Sequence, residues 1–180
     1  QNYFLQKAKL LGMKKLRRYD LYAPGKSKIK EKTYSYDKSI KLVLESLAKF
    51  SPILSGYANK VFSQNHVDSS LRHGKTSGAF CSTPSTKISP YVLVNFTGKT
   101  RDVFTLAHEI GHAIHSISAS GKSILVSEAP LPLAETASTF SELLLYDNLS
   151  EMVDDEEKKI MLSEKIDDFY ATVGRQSFFT

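Results

Sequence analysis

Five residues near the middle of the chain, His108-Glu109-Ile110-Gly111-His112, constrain its fold more than any other stretch. They sit among Val103, Leu106, Ala107, Ile110 and Ile114, which recur at helical spacing. The segment therefore predicts an amphipathic helix over 101–119. On it the two histidines lie one turn apart and about 40° apart around the axis. Imidazoles so placed can reach one tetrahedral Zn2+ at about 2.0–2.1 Å. Glu109 lies about 100° further round the helix. It can act on water beside such an ion without occupying the ion, which suits a general base.

A catalytic zinc site needs a third protein ligand and one open position. His115 shares the face of His108, but seven residues are about 10 Å of helix rise. Three imidazoles spread over that length do not converge on one ion, so His115 reads as lining the cleft or backing the ligands. Downstream, Glu128 and Glu135 are candidates. Glu135 is favoured, because it falls one turn into a predicted helix over 131–147. There Leu133, Ala137, Phe140 and Leu144 form an apolar stripe, with Glu135, Ser138, Thr139 and Glu142 on the other face. Glu142, seven residues after Glu135, is placed to accept the free N–H of a ligand histidine and set its tautomer. Cys81, the single cysteine, excludes a disulfide framework and a Cys-rich zinc module and reads as a buried small residue.

The rest of the chain predicts a mostly helical α+β fold. A basic amphipathic helix covers 2–18 and ends before Tyr22-Ala23-Pro24. A lysine-rich connector over 26–32 leads to a helix capped by Asp37, with Ile40, Val43, Leu44 and Leu47 on one face. Ser51-Pro52 opens a third helix to about His66, with Ile53, Tyr57, Val61 and Phe62 inward. Gly78–Cys81 and Pro90–Phe96 read as two strands joined by a Ser/Thr/Pro loop. A long helix runs from Ser150 towards the end. No apolar run approaches the roughly 18–20 residues of a membrane span. The 180 residues suit one domain or a piece of a larger one. The chain opens on Gln1, and no breaking residue follows Gly174, so extension beyond both ends is expected.

The net charge of +5 is uneven. Residues 1–32 hold ten Lys or Arg against Asp20 and Glu31, a net of +8, which leaves −3 for the rest. A module binding nucleic acid or peptide through Lys14, Lys15, Arg17 and Arg18 is the non-enzymatic alternative, but no recognition motif accompanies these residues. A zinc aminopeptidase is the enzymatic alternative. It would want an acidic anchor for a free amine, and residues 77–96 contain no Asp or Glu.

The segment His108-Glu109-Ile110-Gly111-His112-Ala113-Ile114-His115, followed by Leu133-Ala134-Glu135-Thr136-Ala137-Ser138-Thr139-Phe140-Ser141-Glu142, resembles the oligoendopeptidase F branch of the thimet-oligopeptidase family of zinc metallopeptidases. So do Tyr19–Pro24, Ser77–Cys81, Pro90–Leu93 and Arg175–Phe179, so the resemblance covers nearly the whole chain. It implies a zincin-like core whose small sheet presents an edge strand beside the motif helix. It implies His108, His112 and Glu135 as zinc ligands and Glu109 as general base. It further implies that Tyr91, Val92, Leu93 and Val94 belong to an edge strand that binds peptide backbone by strand addition. The expected activity is cytoplasmic endopeptidase cleavage of short peptides, with no membrane and no nucleic-acid partner. The expected span is 1–180 as a single catalytic-core region of a larger helical peptidase. Family members also steady the oxyanion with Tyr and His residues that would fall after Thr180, so the isolated 180 residues are expected to be weak or inactive.

Overall fold

The computed structural model describes residues 2–21, 23, 32–174 and 177. The expected break at Tyr22 and Pro24, the connector over 26–31, and Arg175, Gln176, Phe178 and Phe179 lie outside the described residues. The chain forms two compact units. One is Gln1–Lys30 with Val153–Thr180, and the other is Glu31–Met152.

The first unit pairs helix α1 (Asn2–Leu10) with helix α7 (Asp155–Phe169), which a π-turn extends through Tyr170–Gly174. Tyr3 stacks on Tyr170 at 4.1 Å between ring centroids, and Phe4 meets both rings edge-on. The buried Lys7 ammonium pairs with Asp167, which also accepts from the Tyr3 hydroxyl at 2.9 Å. α1 stops well before the expected residue 18. Gly12 takes a φ of +65°, and the amides of Gly12 and Met13 return to the carbonyls of Lys9 and Ala8. That is a glycine helix stop. α7 begins at Asp155, later than expected, because Asp154 accepts from the amides of Glu156 and Glu157 and caps it.

The second unit contains α2 (Tyr36–Phe50), α3 (Pro52–Ser63), α4 (Thr100–Ala119), the short α5 (Ile124–Ser127) and α6 (Leu131–Ser150). Ser35, and not Asp37, caps α2 by accepting from the Lys38 amide. α3 ends at Ser63, and Asn65 turns the chain with a φ of +56°. Ile53 points outward, and the inward face of α3 carries Ala58 and Val61. α4 is the central helix. Val103, Leu106, Ala107, Ile110 and Ile114 are buried on one side of it, as their spacing predicts. Burial of a side chain such as Ile110 stabilises the fold by about 1.5–3 kcal/mol.

α6 packs along α4, and its inward face differs from the expected stripe. Ser138, Ser141, Leu145 and Leu149 are buried, while Leu133 and Phe140 are exposed. The reason is close approach. A Cβ built on Gly111 would lie 2.6 Å from the Ser138 Cα and 2.7 Å from the Ala137 carbonyl oxygen. Only glycine facing small residues lets the two backbones come so near.

The sheet has three strands: β1 (Val67–Asp68), β2 (Phe80–Ser82) and β3 (Tyr91–Leu93), in the order β1-β3-β2. β3 runs parallel to β1, with Val67 opposite Val92, and antiparallel to β2, with Cys81 opposite Val92. The loop between β1 and β2 is tied down by polar contacts. The Lys75 side chain is 1% exposed, and its ammonium donates to the carbonyls of Asp68, Ser70 and Val94 and to the Asp68 carboxylate. Arg72 makes a bidentate pair with the same carboxylate. From the far side, the Asn95 amide donates to the carbonyls of Thr76 and Gly78. The Thr83 hydroxyl then donates to Ser116 at 2.9 Å and joins the end of β2 to α4.

Candidate metal centre

The outer face of α4 forms the floor of a cavity of about 490 Å3, walled by residues around β2 and by the start of α6. His108 and His112 project from this face one turn apart, and α6 brings Glu135 against both. The Nε2 atoms of the two histidines are 3.2 Å apart. Oε2 of Glu135 lies 3.3 Å from His108 Nε2 and 3.6 Å from His112 Nε2. Among the described residues this is the set of His, Cys, Asp or Glu donors close enough together to hold a metal ion.

Each donor is held from behind. His108 Nδ1 lies 2.6 Å from Glu142 Oε1, one α6 position that Gly111 brings within reach. With Nδ1–H donating to that carboxylate, the Nε2 lone pair faces the cleft. The Ala134 carbonyl accepts from the His112 ring. The Ser138 hydroxyl donates to Glu135 Oε2 at 2.9 Å. Both bonds come from α6, and Ser138 also packs on Gly111.

Glu109 is 6% exposed and has no hydrogen-bond partner among the described residues. Burial pushes its pKa up from 4.5 to about 7; His108 pulls the other way, and Glu135 adds to the rise. A carboxyl poised near neutrality can both accept and return a proton. Burial alone would lower the His108 pKa. The hydrogen bond and charge of Glu142, with Glu109 and Glu135 nearby, raise it overall. Burial and the neighbouring His108 lower that of His112, which favours the neutral imidazole a metal requires. Burial, and then the charge of Glu109, push the Cys81 thiol up to about 12. Cys81 is half-buried on the cavity wall, and its thiol stays protonated.

The structure brings together His108, His112, Glu135, Glu109 and Glu142. His115 lines the same cavity but lies outside the three-donor set, and Glu128 is an exposed residue at its rim. The assignment of Tyr91, Val92, Leu93 and Val94 to an edge strand is corrected by the sheet order. β3 is central, with both sides occupied: Val92 N–H and Val94 N–H donate to the carbonyls of His66 and Asp68, and β2 pairs with its other side. A strand with both edges bonded cannot take up another. Among the described residues, no strand pairs with the outer side of β2, and Phe80 and Cys81 line the cavity there. β1 is what displaced β3 from the edge. It has only two residues, too short for any period, and its one local signal is the turn at Asn65 that frees the chain from α3.

A family model described as Peptidase family M3 matches residues 2–180. An oligoendopeptidase F homolog of Lactococcus lactis subsp. lactis is 35% identical over 98% of this chain and 29% of its own length. Group B oligopeptidase PepB of Streptococcus agalactiae is 31% identical, again over 98% of this chain and 29% of its own. A crystal structure from Chlamydophila abortus, of a chain assigned as a peptidase, superposes with a TM-score of 0.84 at 32% identity, over 99% of this chain and 30% of that one. The chain thus spans about three tenths of the length of the relatives it matches. Among the described residues no helix is long and apolar enough to cross a membrane. With a motif helix, a facing glutamate helix and a family match that runs from residue 2 to residue 180, the chain belongs to peptidase family M3, among relatives named oligoendopeptidase F.

Proposed function

We propose that this chain carries the zinc site of a cytoplasmic endopeptidase that hydrolyses short peptides. The observation that carries the reading is the three-donor set. Its separations of 3.2, 3.3 and 3.6 Å bracket the roughly 3.4 Å between donors about 2.1 Å from one tetrahedral ion. Two imidazoles and a carboxylate, with a cavity on the open side, are the donor chemistry of catalytic zinc. When bound, zinc supplies a Lewis acid that activates water for attack at neutral pH.

The residues divide the remaining work. His108, His112 and Glu135 hold the ion, and Glu142 orients the His108 ring. Glu109, buried beside the donors with its pKa near neutrality, takes a proton from the attacking water. It then delivers that proton to the departing amine. The protonated Cys81 thiol takes no part. The free side of β2 is where an extended peptide backbone lies, adding to the sheet as a further strand.

Metal analysis and peptide cleavage test this reading. Wild type and Glu109→Gln should both hold stoichiometric zinc, and Glu135→Ala should not. Cleavage of a quenched fluorescent peptide should vanish in Glu109→Gln. Unchanged zinc in Glu135→Ala would remove the ligand assignment, and surviving cleavage in Glu109→Gln would remove the base.

A further inference from the structure

The cavity over the donors does not end at Ala79. That residue also lines a second cavity of about 330 Å3, which continues between the start of β2 and the first turns of α4. Gly78, Val94 and Asn95 form its strand side, and Arg101, Asp102 and Thr105 form its helix side. Arg101, Thr105, His108 and His112 share one face of α4, since each step is three or four residues. The two cavities adjoin at Ala79 along this face of the helix, with the donors lining the first and Arg101 the second.

Arg101 is exposed, and its side chain has no hydrogen-bond or ion-pair partner among the described residues. The neighbouring carboxylate does not neutralise it. Asp102 also lines this cavity, but its Oδ2 accepts from the amides of Thr97 and Lys99 and from the Thr97 hydroxyl, which ties the carboxylate to the loop before α4. The second cavity thus presents, beside the loop-bound Asp102, an unpaired guanidinium whose fork geometry matches a carboxylate.

We propose that Arg101 is a specificity residue that binds a carboxylate of the peptide substrate. Helix rise places it about 10 Å from His108. An extended peptide covers that distance in about three residues. The carboxylate is therefore carried about three residues from the bond that is cut. Two sources share this chemistry: the free C-terminus of a short peptide, and an Asp or Glu side chain at the same distance. Selection for the first would measure peptide length from the cleavage site, and selection for the second would read sequence. The inference rests on the peptidase reading above.

The test is equilibrium binding, by fluorescence anisotropy, of labelled peptides to the zinc-loaded chain. One peptide has a free C-terminal acid, one is its C-terminal amide, and one is an amide with Asp at the matching position. Wild type should bind the acid, the Asp amide or both about ten- to a hundredfold more tightly than the plain amide, the range expected for a charge-assisted bidentate pair. In Arg101→Gln that ratio should fall to about one, and Arg101→Lys should restore only part of it. Tight binding of the Asp amide identifies the side chain as a source, and weak binding restricts recognition to the C-terminus. Equal binding of all three peptides by wild type, or a preference that survives in Arg101→Gln, overturns the anchor while leaving the peptidase reading intact. Failure to bind any of the three overturns both.

Discussion

Glu109 is the residue at which burial and chemistry meet. It is almost inaccessible, lacks a hydrogen-bond partner among the described residues, and has a pKa raised from 4.5 to about 7, chiefly by burial. In the metal-free protein, the folded state keeps a proton that the unfolded chain releases between these two values. Raising the pH from 4.5 to 7 therefore lowers stability, with no contribution to the slope below that window and the loss complete above it. Thermal melts of chelator-treated protein across the window should show this decline, and Glu109→Gln should flatten it. A slope unchanged by the substitution would place the titration elsewhere. His108, His112, Glu109, Glu135 and the supporting Glu142 can all be picked out from the sequence, because their spacing on two helices is itself a geometric statement. Cys81 reads as buried in the sequence, yet it stands half-buried on the cavity wall. Its local sequence does not encode which side of β2 faces the cleft. Arg101 lies about two helical turns before His108 in plain view, but only its lack of a partner singles it out.

At the level of elements, the contact between α4 and α6 decides whether a site exists. Gly111 is an unspecified position of the H-E-x-x-H pattern, yet a Cβ there would meet α6 backbone at 2.6 Å. Gly111→Ala should therefore push α6 outward, costing about 1–3 kcal/mol, and should weaken metal binding by moving Glu135 and Glu142 off the histidines. Gly56 on α3 makes the control. A Cβ added there would meet nothing within 4 Å, so Gly56→Ala should stabilise by about 0.5–1 kcal/mol through helix propensity alone. Melting temperature and zinc affinity, measured on both variants, separate packing from a general glycine effect. The helices themselves were legible, with ends displaced by local caps at Gly12, Ser35 and Asp154. The inward face of α6 was not. A hydrophobicity reading selects Leu133 and Phe140, whereas the face that packs is built of Ser138 and Ser141, small enough for the approach.

Across the whole molecule, the proposed ligands belong to one of the two units. His108, His112 and Glu135 all fall within Glu31–Met152, while α1 and α7 form the other unit. A ligand that binds only folded protein stabilises it by mass action, by about 4 kcal/mol at a thousandfold excess over the dissociation constant. Zinc should therefore slow amide hydrogen exchange in α4 and α6, with a much smaller effect in α1 and α7, and Glu135→Ala should abolish the difference. Equal slowing throughout would mean that the two units unfold together. The uneven charge follows the same division: the basic excess of residues 1–32 lies almost wholly outside the unit Glu31–Met152, which holds the proposed histidine and glutamate ligands. The sequence by itself determined the proposed donors, the proposed base and the helices that bear them, because helical periodicity converts spacing directly into position on a face. The tertiary structure decided the rest. It made β3 central and β2 the open side, turned the serine face of α6 inward, and set the cavity lined by Arg101 beside the one over the donors. Each of these depends on contacts between residues far apart in the chain, and no local pattern reports them.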